Sequence, residues 1–259
     1  MVLDDNAPVA IVTAASRGIG AACARELAKR GYRLSLSSSS VASVKLAEEL
    51  GGLGLQCSLT ESNDIRSMVE ETLSYYGRID AAVLNTGHAP RSQGDGTSAA
   101  SQGSGPAYDP NCSIDLTAIS DDEWLSGVDM LLLSVCRLLR EIVPVMEKQG
   151  HGAIVSISTF GAREPRMTYP VSSVVRASLS ALTKLYADRY GRSGIRFNNV
   201  LPGFFDNHEQ PEQVVRSIPL NRLGRLEEVA KTVAFLMSDD AGYITGKDFV
   251  VDGGIGRSA

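Results

Sequence analysis

The chain has 259 residues, 43% of them hydrophobic and 21% charged, which is enough apolar material to build one α/β domain over 1–259. A net charge of −5, a pI near 5.3 and no run of Lys or Arg leave little to attract nucleic acid or an anionic membrane. No apolar stretch is long enough to cross a bilayer and Met1–Ala7 does not read as a leader, so the expected compartment is the cytoplasm and the expected partner a small molecule.

In chain order, the apolar run Val9–Val12 reads as a strand. It leads into Thr13-Ala14-Ala15-Ser16-Arg17-Gly18-Ile19-Gly20 and then a helical pattern over Ala21–Arg30. Strand, glycine-rich turn and helix together suit a pyrophosphate. Glycines let the backbone come close, and the helix start offers free N–H groups and a positive dipole end. Next come a strand over Arg33–Ser37, a helix over Val41–Leu50, a strand over Gly54–Ser58, a helix over Ser62–Tyr76 and a strand over Ala81–Leu84. Such alternation predicts a doubly wound parallel sheet, Rossmann-like, with helices on both faces and ligand sites at the C-terminal strand ends. Residues 91–105, rich in Ser and Gly, interrupt the rhythm and read as a surface insertion. Cys23, Cys57, Cys112 and Cys136 include no Cys-x-x-Cys pair, and His88, His151 and His208 have no metal-ligand spacing, so no metal site is expected.

The glycine-rich turn resembles the Thr-Gly-x-x-x-Gly-Ile-Gly signature of the short-chain dehydrogenase/reductase family, with Ala14 in place of its first Gly. Further matches follow in family order: Asp80, Leu84-Asn85-Thr86-Gly87, the strand Gly152–Ser158, Ile195 to Gly203, Gly224-Arg225, Tyr243 to Gly246 and Val250 to Gly254. The resemblance spans essentially the whole chain. It implies a nicotinamide cofactor held by Thr13, Ala15, Ser16, Arg17, Gly18, Ile19 and Gly20 at one end and by Asn85, Gly87, Pro202 and Gly203 along its wall. It also implies self-association as a homodimer or homotetramer, through the helices Leu131–Val145 and Val174–Tyr190.

Cofactor preference is read from the second strand. An acidic residue at its end would accept from the adenosine ribose and repel a 2′-phosphate. Here the strand ends in Ser37-Ser38-Ser39-Ser40, and Arg17 can supply a cation. NADPH is therefore expected over NADH, with Ser38 among its contacts.

The catalytic strip departs from the family pattern. The register of Arg176 to Lys184 places Ser172 at the family's catalytic Tyr, Arg176 at its Lys, Thr159 at its Ser and Leu131 at its Asn. A second register pairs Tyr169 with Arg176 at the Tyr-x6-Lys spacing of the enoyl-ACP reductase branch. Pro170 then sets Tyr169 ahead of a helix that Ser172 or Ser173 can cap. Tyr169, Thr159 and Arg176 are the catalytic candidates. Arginine can hold a ribose diol but does not release a proton near neutral pH, so proton delivery falls to Tyr169, Glu164 or water. Polarised substrates need less acid catalysis, which points to reduction of C=C or C=N. A carbonyl reductase or alcohol dehydrogenase using Tyr169, and a cofactor-binding protein or cyclase without redox turnover, are the alternatives.

Overall fold

The computed structural model describes residues 6–86 and 114–258. Among them lie seven strands: β1 Val9–Val12, β2 Arg33–Ser38, β3 Leu53–Gln56, β4 Ala81–Leu84, β5 Gly152–Ile157, β6 Ile195–Pro202 and β7 Lys247–Val251. They form one parallel sheet in the order β3-β2-β1-β4-β5-β6-β7. The chain runs outward from β1 to β3 and then returns to pair β4 with β1, Val12 opposite Val83, so a crevice opens at the C-terminal ends of these two strands. Strands β1, β4 and β5 are buried throughout. Their largely apolar runs, with Ser156 the one polar residue, are explained by helices covering both faces.

On one face, α1 Gly18–Lys29 and α8 Leu226–Met237 pack against the sheet through Leu27, Val229 and Val233. On the other lie α3 Ser62–Tyr76, α5 Ser134–Gln149 and α6 Pro170–Tyr190, contributing Ile65, Leu138 and Leu179. The remaining helices are α2 Ala42–Leu50, α4 Asp121–Val128 and α7 Glu212–Ser217. The expected single fold class is the one found. The proposed insertion at 91–105 lies outside the described residues, as do Gly87, His88 and Cys112. The other three cysteines are free thiols.

Two helix starts differ from expectation. The helix expected from Val174 begins at Pro170, because proline's missing N–H and fixed φ suit the first helical position. Tyr169, not Ser172 or Ser173, is its N-cap residue. Ahead of α5, residues Asp129–Leu133 form a π-turn: the Ser134 N–H reaches back to the Asp129 carbonyl, and the Ser134 hydroxyl donates to the Met130 carbonyl at 2.5 Å. No helix among the described residues is long and apolar enough to cross a membrane, and no group of three or more His, Cys, Asp or Glu there could hold a metal ion.

Candidate active site

The glycine-rich turn is locked onto the end of β4. The Thr13 hydroxyl donates to the Asn85 carbonyl at 2.8 Å and accepts the Asn85 N–H at 3.0 Å, while the Asn85 amide donates to the Ala14 carbonyl at 3.3 Å. Ala15 N–H donates to the Ser37 carbonyl at 2.9 Å, which ties the turn to β2 as well. Gly20 explains its own identity. A Cβ there would lie 2.4 Å from the Ala14 oxygen and 2.8 Å from the Asn85 amide nitrogen. Ala14 sits at φ 47°, a left-handed conformation that costs an alanine about 1–2 kcal/mol and that glycine takes freely.

Beyond the turn, α1 starts without a side-chain cap and without an acidic residue in its first turn. Its positive end is thus left for a ligand anion. Arg17 is exposed beside it. The side chain of Asn207, from the connection after β6, comes within 3.5 Å of where a Cβ of Gly18 would stand.

At the end of β2 the serines divide. Ser38 is 6% exposed, and its hydroxyl is taken by the Ser40 carbonyl at 2.8 Å and by Ser43 at 3.0 Å. The side chains open to solvent there are those of Ser39 and Ser40. Ser37 carries a buried hydroxyl without a hydrogen-bond partner among the described residues. A tight backbone approach, an uncapped helix start and an unsatisfied hydroxyl beside exposed serines are together what a dinucleotide phosphate and ribose require, and these residues fit it.

The catalytic candidates lie across the crevice on β5, the connection that follows it, and α6. Thr159 is half-buried, and its hydroxyl oxygen accepts the Gly161 N–H at 3.3 Å. Its own hydrogen therefore stays available to donate. Arg176 is 6% exposed; its guanidinium donates to the Ile157 carbonyl at 2.6 Å and reaches the Thr86 hydroxyl at 3.4 Å, bridging the ends of β5 and β4. Burial lowers its pKa to about 10, which still leaves it a cation near neutrality. Tyr169 is 38% exposed at φ −142°, ψ 57°, so it flanks the mouth of the site from the cap of α6 and not from a free loop. Burial raises the Tyr169 pKa above its ordinary value near 10, keeping the phenol protonated. Leu131 is fully buried, and Ser172 is half-buried.

Glu164, one of the three possible proton sources read from the sequence, is held as a carboxylate. Burial raises its pKa, but the N–H groups of Ser258 and Arg257, both donating to its Oε1, outweigh that and hold it below the usual carboxylate range. A carboxylate so engaged is ionised near neutral pH.

Comparison with known proteins places this geometry. The chain matches the family described as Enoyl-(Acyl carrier protein) reductase over residues 13–113 and 106–256. The chain belongs to the short-chain dehydrogenase/reductase family. It is an NAD(P)H-dependent oxidoreductase of that type. It is 34% identical to the 7alpha-hydroxysteroid dehydrogenase of Clostridium sardiniense, over 95% of this chain and 92% of that one. It is 30% identical to the 3-oxoacyl-(acyl-carrier-protein) reductase of Escherichia coli, over 95% and 96%. In fold it is similar to the 3-ketoacyl-(acyl-carrier-protein) reductase from Brucella melitensis complexed with NADH, with a TM-score of 0.83, 23% identity, and 96% and 98% of the two chains covered.

Within this member of the family, three residues near the site escaped the reading of the sequence. Arg166 is 7% exposed with its guanidinium 5.0 Å from the Phe160 ring, a placement that an arginine in a polar-looking loop does not announce. Ser173, expected as a cap, instead accepts the Arg166 N–H at 3.2 Å. Asn207 follows Pro-Gly-Phe-Phe-Asp, and its distance from that motif was the only available signal. Phe205 is 5% exposed within the main core, while Phe204 stacks edge-on to Phe160 at 5.3 Å.

Proposed function

We propose that this protein is an NADPH-dependent reductase that delivers hydride to a polarised C=C or C=N bond of a small molecule, using an active site without the family's usual Asn-Ser-Tyr-Lys set. The observation that carries this reading is the buried cationic Arg176 that bridges the ends of β4 and β5, with a protonated Tyr169 phenol at the cap of the same helix.

A bound nicotinamide supplies the hydride, and the division of labour among the side chains follows from their donors. Thr13, Ala15, Ser16, Arg17, Gly18, Ile19 and Gly20 form the turn and helix start that receive the phosphates, with Arg17, Ser39 and Ser40 available to a 2′-phosphate. Arg176 presents a fixed positive charge from a dry position between the ends of β4 and β5. The Tyr169 phenol and the Thr159 hydroxyl are the two donors that can meet negative charge as it develops on the substrate. Neither Tyr169 nor Arg176 is set up to cycle a proton rapidly, which suits substrates that are already polarised. Asn85, Pro202 and Gly203 wall the crevice, and self-association as a homodimer or homotetramer through α5 and α6 completes the reading.

Reduction of a ketone is the second reading, favoured by the names of the relatives, a hydroxysteroid dehydrogenase and an oxoacyl reductase. The two separate in one experiment. NADPH oxidation is followed with enoyl thioesters, enones, cyclic imines and simple ketones, and turnover confined to ketones would replace the first reading by the second. Tight NADPH binding with no oxidation on any of them would make the protein a cofactor-binding member without redox turnover.

A further inference from the structure

Three residues of the connection between β5 and α6 each tie it to a different part of the fold. Arg163 reaches Asp248 on β7 at 3.4 Å, and the Arg166 N–H donates to Ser173 on α6. Glu164 collects the N–H groups of Arg257 and Ser258, in the segment that follows β7. That segment is folded on itself by Asp252, whose carboxylate accepts the N–H of Gly254 at 2.9 Å and of Gly256 at 2.8 Å. It also passes so close to the end of β6 that a Cβ on Gly203 would lie 2.7 Å from the Asp252 Cα. Its Ile255 is 7% exposed and packs with Phe160 and Ile218, against which Phe204 and Leu223 rest. A small apolar cluster thus joins three separate segments directly beside Thr159, since Phe160 is its neighbour in the chain.

We propose that Glu164 is a positioning residue: it fastens the segment after β7 onto the β5–α6 connection, and so holds Phe160, and with it the Thr159 hydroxyl, in place for the reductase reaction. This rests on the function proposed above. The physical reason is that a connection fixed only by its two ends samples many backbone states, whereas a carboxylate accepting two N–H groups at its middle removes most of them. The small cluster alone buries too few side chains to do this, so the ionised carboxylate and the packed Ile255 act as two halves of one clasp.

The test is hydrogen exchange on the full chain with NADPH present, comparing wild type with Glu164→Ala, Glu164→Gln and Ile255→Ala. The first and third variants should raise exchange in peptides covering 159–169 by about tenfold or more while leaving the β1–α1 peptide unchanged; that peptide separates local release from global destabilisation. Glu164→Gln, which keeps an acceptor oxygen, should fall between. In turnover with the best unsaturated substrate, Glu164→Ala should lower kcat by about tenfold, with KM for NADPH changed less than about twofold. Wild-type exchange over 159–169 in both Glu164→Ala and Ile255→Ala would overturn the proposal. So would a fall in kcat without any change in exchange, because Glu164 would then act on the reaction in another way. Wild-type protein that oxidises no NADPH overturns the reductase reading instead, and the exchange comparison still decides whether the clasp exists.

Discussion

The two walls of the crevice are built by different means. On the β1–α1 side, function is carried by the backbone: positive φ at Ala14 and Gly18, the absent Cβ of Gly20, uncapped N–H groups. On the β5–α6 side it is carried by side chains, Thr159, Tyr169 and Arg176, that arrive from elements whose local sequence says nothing about where they point. A backbone-built wall tolerates little change, since one added methyl collides. A side-chain-built wall can exchange its chemistry while the fold stays the same, which is what the proposed site, with Ser172, Arg176 and Leu131 at the family's Tyr, Lys and Asn positions, would require.

If that contrast is right, the largest effect should come from Gly20→Val. Its side chain would meet the Ala14 oxygen and the Asn85 amide within 2.8 Å, so NADPH affinity by fluorescence titration should fall by about a hundredfold or more, with stability reduced by about 1–3 kcal/mol. A variant that still binds NADPH at the wild-type level would break the contrast at its strongest point.

Arg176→Met should come next. It strands the buried Ile157 carbonyl at about 1–3 kcal/mol and removes the cation, so kcat/KM should drop about a hundredfold, with Arg176→Lys intermediate. For Arg17→Gln, the expected result is loss of a roughly tenfold preference for NADPH over NADH, read as a ratio of dissociation constants.

The pH profile sharpens the other wall. A proton donor must be protonated to act, so rate falls as pH rises through its pKa. Burial places that of Tyr169 above its ordinary value near 10. The limb attributable to Tyr169 should therefore be flat from about pH 6 to about pH 9. A fall centred near neutrality would mean that another group supplies the proton.

The smallest effect is a stabilising one. Ala14→Gly relieves a left-handed alanine at φ 47° but adds freedom to the unfolded chain, for a net gain of about 0.5–1 kcal/mol seen as a slightly higher Tm.

The same division governed what could be read in advance. The parallel sheet and the glycine turn were legible because the largely apolar runs of β1, β4 and β5 and the spacing of Gly18 and Gly20 encode backbone geometry directly, whereas the strand order appears only in the structure. Ser38 shows the limit: four adjacent serines look equivalent in sequence, yet Ser37 and Ser38 lie within β2 and are buried, while Ser39 and Ser40 lie past its end and are exposed. Glu164 shows another. Its partners, Arg257 and Ser258, lie more than 90 residues away, so nothing nearby in the sequence distinguishes a clasp from a proton donor. Arg166 was hidden for a related reason, being covered by an aromatic ring six residues before it whose orientation depends on Phe204.

The most direct test of the account is NADPH oxidation with enoyl thioesters, enones and cyclic imines, run with wild type and Tyr169→Phe under matched cofactor saturation. The account predicts turnover of an unsaturated substrate that falls by about a hundredfold in the variant while the NADPH dissociation constant stays within about twofold. Turnover that Tyr169→Phe leaves intact would take the phenol out of the mechanism and contradict its assignment as the donor.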